Sequence, residues 1–422
     1  MNALGKVYKF FYRFINNNHL FLFANSYDSV VNIVISKPSV VLPTIAQHPQ
    51  LSGLQCLRCD ASFPLALVHA SCPVCAAGGV FVSLCARYSK TAGAAHSHYL
   101  PYTSGISLGE GNTPLVDVPL LARAAQVGSL HIKDESQNPT GSHKDRMSAI
   151  GVSQALDFGA HTVVLASSGN AALSAARYAH AAGLACEVAT YAGMPAAYAD
   201  LLDVYGARRF EFDDNLGRWA YVAKRAAQPG FFALTNYHLP ALGSAPLAIE
   251  GYKAIAYECR DDGYLPEHIM VPTARGDLAW GIYAGFRDLL EAGVIDALPK
   301  IWIVEPFARL SKVLAGRGSH QALHDNFAGH TAQFSTAGAT VTYLQYQAAT
   351  ATGGGALVVT DVQARAARAL LDDSGFSAEL CAAAGLAAIE QLCMLQAVQA
   401  HSKVMLVLTA NASRDPSYPD SH

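Results

Sequence analysis

Lys144 follows a turn bearing proline and glycine, in the run Asn138-Pro139-Thr140-Gly141-Ser142-His143-Lys144-Asp145-Arg146, and immediately precedes a helical segment. A lysine at a strand–turn–helix junction can sit in a pocket with its amine partly desolvated. Desolvation penalises the ammonium form and lowers the pKa, which is what an amine needs to form a Schiff base with an aldehyde. A lone lysine is more often a solvated surface residue; the neighbouring motifs argue against that here. One of them, Ser167-Ser168-Gly169-Asn170, ends an apolar stretch and opens a small-residue helix. Backbone N–H groups at a helix N-terminus, beside two hydroxyls and a glycine, make a site for a carboxylate or phosphate. Serine and asparagine alone would be ordinary helix caps; the position after a strand, downstream of the lysine turn, gives them weight.

The elements that must position these runs follow from periodicity. Residues 130–133 read as a short strand and 147–158 as an amphipathic helix. Residues 162–166 have the continuous apolar pattern of a buried strand, and 171–182 form the helix after it. A third unit has the same order: strand 268–271, the loop Pro272-Thr273-Ala274-Arg275-Gly276-Asp277-Leu278, and a helix over 279–292. Threonine, arginine and glycine in that loop suit an anion. Near the end, the apolar strand 404–408 leads into Thr409-Ala410-Asn411. All these loops follow the C-terminal ends of strands, where open α/β sheets place their ligands.

Upstream, Cys56-Leu57-Arg58-Cys59 and Cys72-Pro73-Val74-Cys75 form two C-x-x-C pairs. Thiolates at i and i+3 of a tight turn can face one ion, and two such knuckles make a tetrahedral zinc site. Phe63 between the pairs and Gly78-Gly79 after them fit a short zinc ribbon. Four sulfur ligands leave no open position, so the metal's role is structural. The competing reading, free thiols or two disulfides, fits this spacing less well in a cytosolic setting. Cys85, Cys186, Cys259, Cys381 and Cys393 read as small core residues.

At 422 residues, the chain has room for two domains and an appendage, and with 51% hydrophobic and 14% charged residues it can bury a large α/β core. A formal net charge of −3 gives no reason to expect nucleic acid or an anionic membrane surface as partner. No apolar run reaches transmembrane length. In the first fifty residues, Lys6, Lys9 and Arg13 alternate with Tyr8, Phe10, Phe11, Tyr12 and Phe14, ahead of a short apolar run at 20–23. That run is short for a signal peptide and no small-x-small cleavage site is evident. Membrane-surface attachment is a second reading, and an extension outside the main fold is the preferred one.

Together these runs resemble threonine synthase and its relatives, the tryptophan-synthase-β-like (fold type II) group of pyridoxal-phosphate enzymes. The resemblance extends from Gly109-Glu110-Gly111-Asn112-Thr113-Pro114-Leu115 to Asp415-Pro416, and the zinc-ribbon-like segment is similar to one in some threonine synthases and the related cysteate synthases. It implies an α/β, two-domain architecture in which each domain is a mostly parallel sheet flanked by helices, with pyridoxal 5'-phosphate between the domains. The organisation expected is an extension at 1–50, a zinc-ribbon-like lobe at 51–85, a large cofactor-binding domain from 100–143 and 240–416, a small domain at 144–239, and a tail at 417–422. Residues 240–246 would cross back between the domains, and 316–356 would form substrate-facing loops over the cleft.

By the same resemblance, Lys144 binds the cofactor and is the catalytic base, and Asn170 hydrogen-bonds the cofactor's 3'-oxygen. Ser167, Ser168 and Gly169 hold the substrate carboxylate. Thr273, Ala274, Arg275, Gly276, Asp277 and Leu278 cradle the cofactor phosphate, and Thr409 faces the pyridine nitrogen. A neutral hydroxyl there does not favour ring protonation, which suits elimination and replacement over transamination. Three positions depart from the pattern. His143 stands where threonine synthases usually have phenylalanine; it is either a proton relay or, the preferred reading, a packing and hydrogen-bonding support. The phosphate loop carries less glycine than usual, so Arg275 can bond the phosphate while Asp277 repels it unless its side chain turns away. Thr409-Ala410-Asn411-Ala412 replaces the family's T-G-H-G.

The activity implied is a lyase acting on an O-phosphorylated amino acid, with conversion of O-phosphohomoserine to threonine and phosphate as the first expectation. β-Replacement or β-elimination on a serine derivative, as in cysteate synthases, is the second, and a non-catalytic degenerate homologue the third. Arg146, Arg177 and Lys253 are the candidates for contacts to the substrate phosphate. A cytoplasmic homodimer is expected from the family, with a small amino acid as ligand and with neither nucleic acid nor membrane as partner.

Overall fold

The computed structural model of the chain describes residues 43–67, 71–89, 99–316, 327 and 329–415, together with the backbone of three strands near the N-terminus. Met1–Leu42 is a unit by itself. Its strands Phe10–Phe14, His19–Ser26 and Ser29–Ser36 pair antiparallel in chain order. The tail at 417–422 and the side chains of the first 42 residues lie outside the described residues.

Two parallel sheets organise the rest. The run Thr-Val-Val-Leu-Ala forms strand Thr162–Ala166, apolar throughout because helices cover both faces of a parallel sheet. It lies within a four-stranded sheet ordered Arg208–Phe212, Ala185–Tyr191, Thr162–Ala166, Phe231–Ala233, all parallel. The second sheet has six strands in the order Gly355–Val358, Lys300–Glu305, His268–Pro272, Lys403–Leu408, Ser129–Asp134 and Leu115–Asp117, with only the last pair antiparallel. Strands expected at 130–133, 162–166, 268–271 and 404–408 are all present. Each leads into a loop at its C-terminal end, and those loops converge. No helix among the described residues is long and apolar enough to cross a membrane.

The segment expected as an amphipathic helix over 147–158 differs. The helix starts at the lysine itself, Lys144–Asp157, and ten of its residues are buried, including Asp145, Arg146, Ser148, Ser153 and Gln154. It has no solvent face because partners close on it from more than one side. Gly251 lets the short helix Ala248–Lys253 approach so closely that a Cβ there would fall 2.2 Å from the Arg146 carbonyl oxygen. Ser174, on helix Asn170–Ala181, donates to Asp145. Of the loops expected over 316–356, residues 334–338 line the cavity described below, whereas the later part of the segment is helix Tyr343–Ala351 and strand Gly355–Val358. Its glycine run serves packing: a Cβ on Gly354 would overlap the Ile301 carbonyl oxygen at 1.9 Å.

A small antiparallel sheet of Ser62–Phe63, Leu51–Cys56 and Leu84–Tyr88 carries the four clustered cysteines. Glu250 ties it to the body by accepting the Ala86 N–H at 3.2 Å. Lys253, three residues on, is buried between Glu250 (2.7 Å) and Asp288 (3.0 Å).

Four buried charges lock the lysine-bearing helix to the six-stranded sheet. The Arg146 guanidinium reaches Glu135 at 2.7 Å and Glu258 at 2.5 Å, and Lys133 reaches Glu258 at 2.7 Å. Burial alone would raise the Glu258 carboxyl, but the hydrogen bonds and charge of Arg146, with the charge of Lys133, override it and hold the group at about 2. Removing one partner of such a pair strands a charge in low dielectric. Arg146→Met is therefore expected to lower stability by about 3–5 kcal/mol, read as a fall in the urea midpoint at unchanged slope. The folded pKa of Glu258 is below its unfolded value, so its contribution is complete above about pH 4.3 and fades as pH falls toward about 2. Glu258→Gln flattens that acid limb of stability against pH.

Candidate active site

Asp145 fixes the geometry of the lysine turn. Its carboxylate accepts the Thr140 N–H at 2.6 Å, the Thr140 hydroxyl at 2.5 Å and the Ser174 hydroxyl at 2.6 Å. The turn holding Lys144 and the helix that opens at Ser167–Asn170 thus share one buried acid. Burial raises the Asp145 pKa, and these hydrogen bonds pull against that rise.

Lys144 is half-buried, its Nζ 5.9 Å from the centre of the Tyr252 ring. Burial lowers its pKa; the Asp277 carboxylate works against this and Arg275 reinforces it. An amine so placed keeps a larger neutral, nucleophilic fraction than a surface lysine. His143 lies beneath it. Its backbone N–H donates to the Thr409 carbonyl at 2.9 Å and its Nδ1 lies 3.0 Å from the same oxygen, which assigns the proton to Nδ1. Burial first and the Lys144 charge second hold His143 well below the ordinary histidine pKa, so the ring is neutral.

One cavity of about 270 Å³ is lined by His143, Lys144, Ser167, Ser168, Gly169, Asn170, Thr273, Ala274, Arg275, Asp277 and Thr409. The residues singled out from sequence meet there with two exceptions. Leu278 is packed in the core. Gly276 does not line the cavity; it turns the chain at φ 92° as the residue before helix Asp277–Glu291. That left-handed position and a Gln345 backbone nitrogen 2.6 Å from a built Cβ both require glycine. Asp277 is turned toward Ser244, accepting its hydroxyl at 2.6 Å and its N–H at 3.3 Å.

Asn170 is oriented from both ends: Nδ2 donates to Glu379 at 3.0 Å and Oδ1 accepts from the Tyr198 hydroxyl at 3.1 Å. Ser168 Oγ receives the Thr190 hydroxyl at 2.9 Å, the Tyr191 N–H at 3.3 Å and the Arg218 guanidinium at 3.1 Å. Its lone pairs are committed, so an anion at this turn meets backbone N–H groups.

Sequence reading missed Arg218, Glu379 and Tyr252. Arg218 belongs to helix Asn215–Ala226 and Glu379 directly precedes helix Leu380–Met394, and no local motif marks either residue. Conversely, Arg146, Arg177 and Lys253 do not reach the cavity. Arg146 is bound by Glu135 and Glu258, Arg177 donates to Tyr205, and Lys253 is held by Glu250 and Asp288.

Apart from this cleft, Cys56, Cys59, Cys72 and Cys75 bring their sulfurs within 4.8 Å of one another, with Cys56–Cys75 and Cys59–Cys72 both at 3.7 Å. A tetrahedron with zinc–sulfur bonds of about 2.3 Å has edges of about 3.8 Å, so the cluster has the size of such a site. Cys85, Cys186, Cys259 and Cys381 are buried, as expected of core residues, whereas Cys393 is only half-buried near the end of helix Leu380–Met394.

Comparison with known proteins agrees with this geometry. Residues 106–410 match the family model described as pyridoxal-phosphate dependent enzyme. The chain is 30% identical over 322 residues to threonine synthase of Methanosarcina acetivorans, covering 74% of this chain and 77% of that one. It is 28% identical to threonine synthase of Methanocaldococcus jannaschii at the same coverage of 74% and 77%. The structure of maize serine racemase superposes with a TM-score of 0.60 at 19% identity, over 72% of this chain and 88% of that one, a likeness of fold. A half-buried lysine at the mouth of a helix, in a cleft between two parallel sheets, with a family match spanning both, places the chain among the fold type II pyridoxal-phosphate-dependent enzymes as a threonine-synthase-like lyase.

Proposed function

We propose that this lyase converts O-phosphohomoserine and water to threonine and inorganic phosphate. The observation that carries the reading is the meeting of the Lys144 amine, the Ser167–Asn170 turn, the Thr273–Asp277 loop and Thr409 in one cavity.

The residues fit pyridoxal phosphate. Lys144 would hold it through its amine, Asn170 would meet its 3'-oxygen, Thr409 its ring nitrogen, and the loop 273–278 its phosphate. The loop offers the N-terminus of helix Asp277–Glu291 and an Arg275 whose buried Nε has no hydrogen-bond partner, while Asp277 is engaged by Ser244. When bound, the cofactor supplies an electron sink that acidifies carbon–hydrogen bonds near the substrate's amino group.

The chain's own residues do the rest. N–H groups of the Ser167–Asn170 turn orient the α-carboxylate. Lys144 moves protons at the substrate's α- and β-carbons. In the net reaction the Cγ–O bond breaks with its electron pair leaving on phosphate, water delivers hydroxyl to Cβ, and Cγ ends as a methyl group. His143, neutral and donating to Thr409, acts as a support under the site. Closing the cleft on substrate would exclude bulk solvent while leaving room for the one water that adds at Cβ.

Glu379 adds a titratable group beside Asn170. Burial first, and the Asp415 charge second, push its carboxyl up to about 7. The folded pKa exceeds the unfolded one, so its contribution is complete below about pH 4.3 and is lost as pH rises through about 7.

Three measurements test this account. Purified protein is expected to show a cofactor absorbance band that disappears in Lys144→Ala, with phosphate release from O-phosphohomoserine falling at least about 10³-fold. Release from O-phosphoserine in preference to O-phosphohomoserine would overturn the substrate while keeping the enzyme class. Glu379→Gln is expected to remove a decline in unfolding free energy of about 3 kcal/mol between about pH 4.5 and about pH 7; an unchanged profile would reject the assignment. Zinc at one per chain is expected by metal analysis and is lost in Cys56→Ser/Cys59→Ser, with a lower melting temperature.

A further inference from the structure

The cleft contains one cation that the proposed chemistry does not use. Arg218 lies in the first turn of helix Asn215–Ala226, 6% exposed. Its guanidinium stacks 3.6 Å from the centre of the Tyr191 ring, donates to Ser168 Oγ at 3.1 Å and reaches Asn215 Oδ1. Its Nε is buried without a hydrogen-bond partner. Among the described residues it forms no ion pair with a carboxylate; Asp214, close by in sequence, uses its Oδ1 to cap the Gly217 N–H at 2.7 Å. A second guanidinium shares the cavity, since Arg275 lies 5.5 Å from the ring of Trp219, the residue after Arg218, and it too leaves Nε unpartnered.

Two like charges facing one space favour an anion between them, and the carboxylate nearest in sequence to Arg275, Asp277, is engaged by Ser244. Burial, and then the Arg275 charge, lower the Arg218 pKa, while Tyr191 and Asp214 work against the fall. The cleft has three anions to place if the substrate carries a phosphate. Arg275 belongs to the loop read as holding the cofactor phosphate, and the Ser167–Asn170 N–H groups answer an α-carboxylate. Arg218 is surplus to both, and a stacked, pre-oriented guanidinium is the group best suited to a tetrahedral dianion.

We infer that Arg218 is the specificity residue for the substrate's second anion, anchoring the phosphate that departs from the side chain. This rests on the reading of the cleft as an amino-acid site, but the phosphate contact is tested separately from turnover.

Inorganic phosphate and L-homoserine, which bears an α-carboxylate and no second anion, are titrated into the cofactor-loaded protein by calorimetry. In Arg218→Met the dissociation constant for phosphate is expected to rise at least about 30-fold and that for L-homoserine less than about 3-fold, with Arg218→Lys restoring part of the loss. In the unaltered protein, phosphate but not L-homoserine is expected to slow phenylglyoxal labelling of Arg218, read by mass spectrometry; that arm decides the matter if the variants do not fold. Equal weakening of both ligands would make Arg218 an α-carboxylate anchor and overturn the inference. Unchanged phosphate binding, or labelling indifferent to phosphate, would make it a purely structural stack. If O-phosphohomoserine is not turned over but phosphate still binds through Arg218, the reaction assigned above fails and this contact stands.

Discussion

One buried carboxylate holds the reactive parts together. Asp145 receives two hydrogen bonds from Thr140 in the lysine turn and one from Ser174 in the helix that begins at Asn170. Lysine turn and anion turn are therefore spaced by a side chain next to Lys144, independently of anything bound between them. A serine–serine bond, Ser174 to Ser148 at 2.7 Å, extends the same contact along the two helices. Preorganisation of this kind costs desolvation of an acid during folding and removes the need to order the two turns when ligand arrives.

Around that link the charges are sorted by function. Arg146 and Lys133 are consumed by Glu135 and Glu258, and Lys253 by Glu250 and Asp288, so these three cations are structural. The guanidiniums left facing the cleft, Arg218 and Arg275, stand against aromatic rings instead of carboxylates. Ring faces bury a guanidinium without neutralising it. Both guanidiniums thereby keep their charge at the cavity wall, while Arg146, Lys133 and Lys253 of the frame are paired with carboxylates.

Much of the fold was legible because its signals are local. The segments ending in Asp134, Ala166, Pro272 and Leu408 are strands, and the loops after them carry Lys144, Asn170, Arg275 and Thr409 to one place. What could not be read depends on distant partners. Asn170 meets Glu379 across 209 residues, and Arg218 meets Tyr191 on a strand of the neighbouring sheet. The helix Lys144–Asp157 was misjudged as amphipathic for the same reason: its polar residues have buried partners, such as Glu135 and Glu258 for Arg146, that lie elsewhere in the chain. Arginine and glutamate carry no local mark that separates a solvated face from a ligand cleft.

The short helix Ala248–Lys253 joins two regions that the chain keeps far apart. At one end Glu250 grips the strand that follows the cysteine knuckles, through the Ala86 N–H, and two residues later the Tyr252 ring stands 5.9 Å from the Lys144 amine. A single helical turn is thus the strut between the cysteine lobe and the reaction chamber. The cysteine lobe and the surroundings of Lys144 therefore share one short helix as their common support.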